Sequence, residues 1–154
     1  MATLFIMCGV PGVGKSTWAK ENVPKDAVYV SRDEVRFSIL QPNDAYFAKE
    51  KEVFTEFINR IKAGLAAGKD VYADATHLNS SSRNKLMNAV GRGNWDFQAL
   101  TFTASLEDCL IRNSKRNGRA YVPEDSLVEM YHKFSIPTKR EGFSEVWVRE
   151  VEMK

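Results

Sequence analysis

Apolar and polar positions along the chain switch repeatedly between two periods. Short apolar or alternating runs predict strands at Thr3–Cys8, Ala27–Ser31, Asp70–Ala75, Asp96–Thr103 and Glu145–Val151. The first run is apolar almost throughout, as a parallel strand buried on both faces should be. Helical spacing fills the intervals. A helix opens after residue 15 and should end near Asn22-Val23-Pro24, because the residue before a proline is pushed out of helical geometry. Phe47, Phe54, Phe57, Ile58, Ile61 and Leu65 fall on one face of a long helix over Ala45–Ala67, with Gly68 as its stop. A third helix fits Ser81–Val90, and Ser105 with Asp108 reads as a capping-box start for a fourth. Pro123-Glu124-Asp125 opens a fifth that runs to about Phe134. Strands alternating with helices predict an α/β fold with a mainly parallel five-stranded sheet and helices on both faces. In such sheets ligands sit at the carboxyl ends of the strands. The segments to read for chemistry are therefore residues 9–16, Arg32-Asp33, Thr76-His77 and Ser105.

Composition narrows the picture. A chain of 154 residues is expected to form one domain, residues 1–154. Its net charge of +2 does not by itself point to a nucleic-acid partner, so any basic surface must be local. Two cysteines, Cys8 and Cys109, fit neither a disulfide framework nor a metal cluster and read as core residues in a reducing compartment. No apolar run approaches the roughly 20 residues of a membrane span. No basic segment or cleavage signal precedes the first strand. The expected location is the cytoplasm, with no membrane and no obligatory protein partner.

Gly9-Val10-Pro11-Gly12-Val13-Gly14-Lys15-Ser16 fits G-x-x-x-x-G-K-[ST], the phosphate-binding loop. It lies between the first strand and the first helix, where the mechanism requires it. Glycines let backbone N–H groups curl around phosphate oxygens, and the helix N-terminus adds partial positive charge. Lys15 would reach the β- and γ-phosphates, and the Ser16 hydroxyl would ligate Mg²⁺. The guanine-reading Asn-Lys-x-Asp of GTPases is missing: Asn84-Lys85-Leu86-Met87 lacks the aspartate. Phosphoryl transfer to an acceptor is the better class. It requires a base for the acceptor hydroxyl, cations over the transferring phosphoryl and a lid that excludes water.

Asp33, after the second strand, is the candidate base; its alternative role is a helix cap. Arg36 lies one turn beyond. It could pair with Asp33 or grip a substrate phosphate. The basic run Arg112-Asn113-Ser114-Lys115-Arg116-Asn117-Gly118-Arg119 could be a hinged lid bringing arginines to the γ-phosphate, or a solvated helix end. Asp74, ending the third strand, stands where a Mg²⁺-associated carboxylate is expected, or it could fasten the loop in place. His77 could touch phosphate or substrate, but a single histidine in a loop reads more simply as a surface residue. Phe37, Tyr46, Phe47 and Tyr121 could stack on an acceptor base, although Phe47 on the apolar stripe belongs to the core on this reading.

Taken together, these residues resemble the 5′-hydroxyl polynucleotide kinase module of the T-even phage end-healing enzyme and, in related form, of animal polynucleotide kinase/phosphatase. The likeness rests on Gly9–Trp18, on Arg32-Asp33-x-x-Arg36, on Asp74-Ala75-Thr76-His77-Leu78-Asn79 with Arg83, and on Arg112–Arg116 followed by Val122-Pro123. The tail Glu141-Gly142-Phe143-Ser144-Glu145-Val146 is nearer the animal branch. The resemblance implies a three-layer P-loop kinase fold with the P-loop strand central and a helical lid at about 112–123. It implies ATP, or another nucleoside triphosphate, as donor, Mg²⁺ as cofactor and 5′-OH DNA or RNA ends as substrate. The implied nucleotide site comprises Gly9, Pro11, Gly12, Val13, Gly14, Lys15, Ser16 and Thr17, with Arg112 and Arg116 from the lid. Ser16 and Asp74 would serve the metal. Lys15, Asp33, Arg36 and Arg116 would be catalytic, with Asp33 as base and Arg36 on an acceptor phosphate. The chain departs from the phage pattern by an extra residue around Asn117–Tyr121 and in the loop after Asp74. It has no Asp-x-Asp-x-[TV] phosphatase signature, so removal of 3′-phosphates is not expected.

Overall fold

The computed structural model describes residues 1–118 and 121–152. Five strands are present: β1 Ala2–Cys8, β2 Val28–Ser31, β3 Val71–Asp74, β4 Trp95–Thr103 and β5 Glu145–Glu150. Each lies within a residue or two of its expected place. They form one sheet in the order β2-β3-β1-β4-β5, and every pairing is parallel. The sheet is thus all-parallel rather than mainly so, with the P-loop strand in the centre.

Among the described residues six α-helices accompany the strands: α1 Lys15–Asn22, α2 Arg32–Ile39, α3 Glu50–Ala66, α4 Ser80–Val90, α5 Leu106–Ser114 and α6 Glu124–Lys133. The sheet buries both faces. Leu4, Ile6 and Cys8 of β1 join Val35 of α2, Phe57 and Ile61 of α3 and Leu86 of α4 in one core. Met7 of the same strand joins Ala19 of α1, Cys109 of α5, Leu127 of α6 and Phe102 in the other. This is the three-layer α/β arrangement of P-loop kinases. β5 at the sheet edge is exposed along most of its length. Among the described residues no helix is long and apolar enough to cross a membrane.

Local signals account for the helix ends. Ser31 caps α2 by accepting from the Glu34 N–H at 3.3 Å, with Asp33 and Glu34 in the favoured first turn. Asn79 and Ser82 form a reciprocal capping box at the start of α4. Ser105 caps α5 by accepting from the Asp108 N–H at 3.1 Å.

Two expectations need correction here. The long helix starts at Glu50 and not at Ala45. The preceding segment folds into turns, with Asp44 N–H on Gln41 O and Ala48 N–H on Ala45 O, both at 3.0 Å. Phe47 therefore leaves the apolar stripe and stands 70% exposed, outside the core.

Candidate nucleotide and acceptor site

The loop between β1 and α1 is shaped by glycine where no other residue fits. Gly12 has φ +82°, and a Cβ there would come within 3.1 Å of Cys109 O on α5. Gly14, with φ +106°, caps α1; the Arg112 Nη1 would lie 3.0 Å from its Cβ. Gly9 N–H is held by Thr76 O at 3.0 Å, so the loop is tied to the end of β3. Val13 plugs the second core from above. Pro11 is half-buried and Thr17 faces solvent from the first turn of α1.

Lys15 is buried, and its ammonium donates to Gly9 O at 2.6 Å and Val10 O at 3.3 Å. Burial pulls its pKa down; Asp74 and Asp33 oppose this and Arg116 adds to it. One lysine thus responds to the β3 carboxylate, the β2–α2 carboxylate and Arg116 after α5, all of which converge on the loop.

Ser16 donates to Asp74 Oδ2 at 3.3 Å, and the Tyr29 hydroxyl donates to the same oxygen at 2.5 Å. Burial, then the Asp74 charge, pushes the Tyr29 phenol upward, so it stays a donor. A hydroxyl and a carboxylate side by side at a P-loop are hard oxygen donors that fit Mg²⁺. Among the described residues no group of three or more His, Cys, Asp or Glu could hold a metal ion. A cation here would take its remaining ligands from phosphate and water.

The second cluster surrounds Asp33. Its side chain is 51% exposed, while that of Arg36 is 5% exposed. Arg36 pairs with Asp33 Oδ1 through Nη1 and with Glu50 Oε1 through Nε at 2.9 Å and Nη2 at 2.8 Å. The Tyr46 hydroxyl accepts from Arg36 Nη1 at 2.7 Å and donates to Asp33 Oδ1 at 2.6 Å. Burial and its bond to Asp33 raise the Tyr46 phenol well above its usual range. Of the two readings of Arg36, the structure shows the pairing. Arg32 shares Glu50 through Oε2 at 3.2 Å.

The segment expected to form a lid begins on α5. Arg112 lies against Gly14, and its buried Nε has no hydrogen-bond partner. Arg116 follows the helix, half-buried. Asn113 is 2% exposed, and its side chain donates to Val122 O at 2.6 Å and accepts from Val122 N–H at 3.0 Å. This two-point clip ties the end of α5 to the residues just ahead of α6. Gly118 sits at its turn with φ +59°. Arg119 lies outside the described residues.

His77 is not on the surface. It is 6% exposed with φ +43°, and its Nδ1 lies 2.6 Å from Met7 O. Burial lowers its pKa to about 4. Next to it Arg83, fully buried, binds Glu141 at 2.7 Å, His77 O at 2.8 Å and Ser135 O at 3.0 Å. Arg83 thereby fastens the loop after β3 to the segment that leaves α6.

Sequence reasoning did not single out Glu50, Tyr29, Asn113 or the Arg83–Glu141 pairing, and gave Tyr46 only a stacking role. An acidic residue at a helix start is a common signal, so Glu50 carried nothing distinctive.

A family model described as "AAA domain" matches residues 4–137. The chain is 26% identical over 144 residues to the "Putative bifunctional polynucleotide kinase/RNA ligase" of Autographa californica nuclear polyhedrosis virus, covering 85% of this chain and 20% of that protein. It is 30% identical over 145 residues to the L-seryl-tRNA(Sec) kinase of Methanococcus maripaludis, covering 87% of this chain and 53% of that one. The chain thus spans one fifth and about half of these two relatives. Among solved structures, the Pnkp1/Rnl/Hen1 RNA repair complex contains a chain with a TM-score of 0.71 and 23% identity, matched over 86% of this chain and 43% of its own length. With the fold, the loop and the family model in agreement, the chain belongs to the AAA domain family and has the P-loop kinase fold.

Proposed function

We propose that this domain transfers the γ-phosphate of ATP, or of another nucleoside triphosphate, to the 5′-hydroxyl end of DNA or RNA. The observation that carries the reading is the asymmetry of Asp33. Its Oδ1 is held by Arg36 and Tyr46, whereas its Oδ2 has no hydrogen bond among the described residues and the side chain is half exposed. A carboxylate with one oxygen fixed and the other open at the active edge suits a general base.

The residues then take these roles. The backbone from Gly9 to Thr17 and the N-terminus of α1 cradle the phosphates. Lys15 leaves its loop carbonyls for the β- and γ-phosphates, and Arg112 and Arg116 close over them. Ser16, and Asp74 through water, would hold Mg²⁺, which neutralises phosphate charge when bound. The 5′-hydroxyl gives its proton to Asp33 Oδ2 as its oxygen bonds to γ-phosphorus in line, and the bond to the β-phosphate oxygen breaks to release the diphosphate. Arg36 keeps Asp33 aimed; reaching an acceptor phosphate would require it to exchange a present partner. The sequence likeness to relatives named for a polynucleotide kinase and a tRNA kinase supports an acceptor carried on nucleic acid. A small-molecule alcohol is the competing acceptor, favoured by the low net charge of +2.

The test is transfer of γ-labelled phosphate with Mg²⁺ to matched 5′-OH DNA and RNA oligonucleotides, with a 5′-phosphorylated oligonucleotide as control. Label is expected on 5′-OH strands only, falling as salt rises. Lys15→Ala should abolish it, and Asp33→Ala should reduce it by about 10²–10⁴-fold with ATP binding retained. No label with ATP binding intact would transfer the assignment to a small-molecule alcohol. Near-normal rates in Asp33→Ala would remove it as the base.

A further inference from the structure

Ahead of α3, three aromatic rings cluster around Tyr46, whose hydroxyl donates to the Asp33 carboxylate. The Tyr46 ring lies 4.2 Å from the Arg36 Cζ, a cation–π contact, while its hydroxyl is fixed by Arg36 and Asp33. Phe47 meets Tyr46 edge-on, with centroids 4.6 Å apart and an interplanar angle of 85°. Phe37 meets Tyr46 from another side at 6.1 Å and 69°. Tyr46 is therefore a braced central post. Phe47, leaning on it, holds 70% of its surface in solvent. A lone exposed ring needs no explanation, but contiguous rings around a reactive group mark an interaction site.

We propose that Phe47, braced by Tyr46, is the subsite on which the terminal nucleobase of the acceptor strand stacks. This rests on the function proposed above and specifies its substrate as an unpaired nucleotide at the 5′-OH end. A 5′-hydroxyl is joined to its own base through a single sugar. Once that hydroxyl is at Asp33 Oδ2, the base must lie in the immediate neighbourhood, where Phe47 offers a flat apolar face. Stacking on a phenyl ring accepts every base, since each has a π-face, and needs the base free of a partner strand. No hydrogen-bonding reader is required, so the subsite selects an unpaired end without selecting a sequence.

The experiment measures acceptor KM and kcat for single-stranded 5′-OH oligonucleotides with an ordinary or an abasic 5′-terminal nucleotide. The proteins are the wild type, Phe47→Ala and Phe47→Trp. Loss of one stacked base corresponds to about fivefold in KM at the lower end of measured stacking energies. Phe47→Ala should raise acceptor KM by that factor on the ordinary strand. The abasic end should do the same to the wild type. The two together should be no worse than either alone, and Phe47→Trp should restore KM. An unchanged KM in Phe47→Ala, or two effects that multiply, would overturn the subsite while leaving the kinase reading intact. A wild type that labels no 5′-OH strand would overturn both.

Discussion

The Tyr46 hydroxyl lies 2.6 Å from Asp33 Oδ1 and 2.7 Å from Arg36 Nη1, so one phenol bridges a carboxylate and its counter-charge. If Asp33 is the base, Tyr46 is a positioning residue that sets which carboxylate oxygen faces the acceptor. Tyr46→Phe keeps the ring and removes the bridge. A hydrogen bond to a charged group contributes about 1.5–3 kcal/mol, so kcat should fall roughly ten- to hundredfold. The KM values for ATP and acceptor should move less than kcat, and the melting temperature should hardly change. A loss confined to KM would show that the ring matters and the hydroxyl does not.

The Arg83–Glu141 pair is the second point of test. Arg83 is fully buried, and the Glu141 side chain is 9% exposed. Burial pushes the Glu141 carboxyl up, but its bonds from Arg83 and Thr138 outweigh this and hold it below the usual range. Removing one partner of such a pair strands the other charge, at a cost of about 3–5 kcal/mol. Glu141→Ala should lose that much in urea unfolding, and adding Arg83→Met should recover part of it. A single variant within about 1 kcal/mol of wild type would show the strut to be dispensable.

The strands and most helices were legible because they depended on short-range patterns, whereas α2, Arg32–Ile39, carried no helix assignment. Leu4, Ile6 and Cys8 on one face of β1, and Phe57 and Ile61 on one face of α3, follow from period alone. The phosphate loop was legible for the same reason, being eight consecutive residues. What was hidden depended on residues far apart in the chain. Tyr29 and Asp74 are 45 residues apart, and Arg83 and Glu141 are 58 apart. No local spacing brings either pair together. Phe47 was misplaced because the turn residues from Tyr46 to Lys49 also satisfy a helical spacing of apolar positions. His77 was misplaced because its burial comes from β1 beneath it, through the Met7 carbonyl.

The Asn113 clip makes a separate prediction for the lid. Asn113→Ala leaves the Val122 N–H and C=O without side-chain partners in a partly buried place. The expected loss is about 2 kcal/mol of stability. Because Arg112 and Arg116 flank the clip, ATP affinity should fall with it. Thermal melting and nucleotide titration read the two effects. Wild-type values in both would remove Asn113 from any role in shaping the lid.

His77 gives the fold an acid sensitivity. Its pKa is depressed by burial to about 4, from 6.5 when exposed. Between these values the unfolded chain binds the proton and the folded chain does not, so stability falls as pH is lowered through this window. From pH 7 to pH 5 the loss should be about 2 kcal/mol in urea unfolding. Asn also tolerates positive φ, so His77→Asn should flatten this part of the profile. An equally steep profile in that variant would assign the proton uptake elsewhere.

The ammonium of Lys15 is already buried before any phosphate arrives, hydrogen-bonded to the carbonyls of Gly9 and Val10. Dehydration of that cation is completed during folding and need not be repeated during binding. A polyphosphate replaces two neutral dipoles with full negative charge. The nucleotide-free chain is therefore the form under electrostatic stress, and a nucleotide binding only the folded form raises its share by mass action. The amount of folded domain would thus track the nucleotide concentration around it, so the loop that binds the nucleotide also reports how much of it there is.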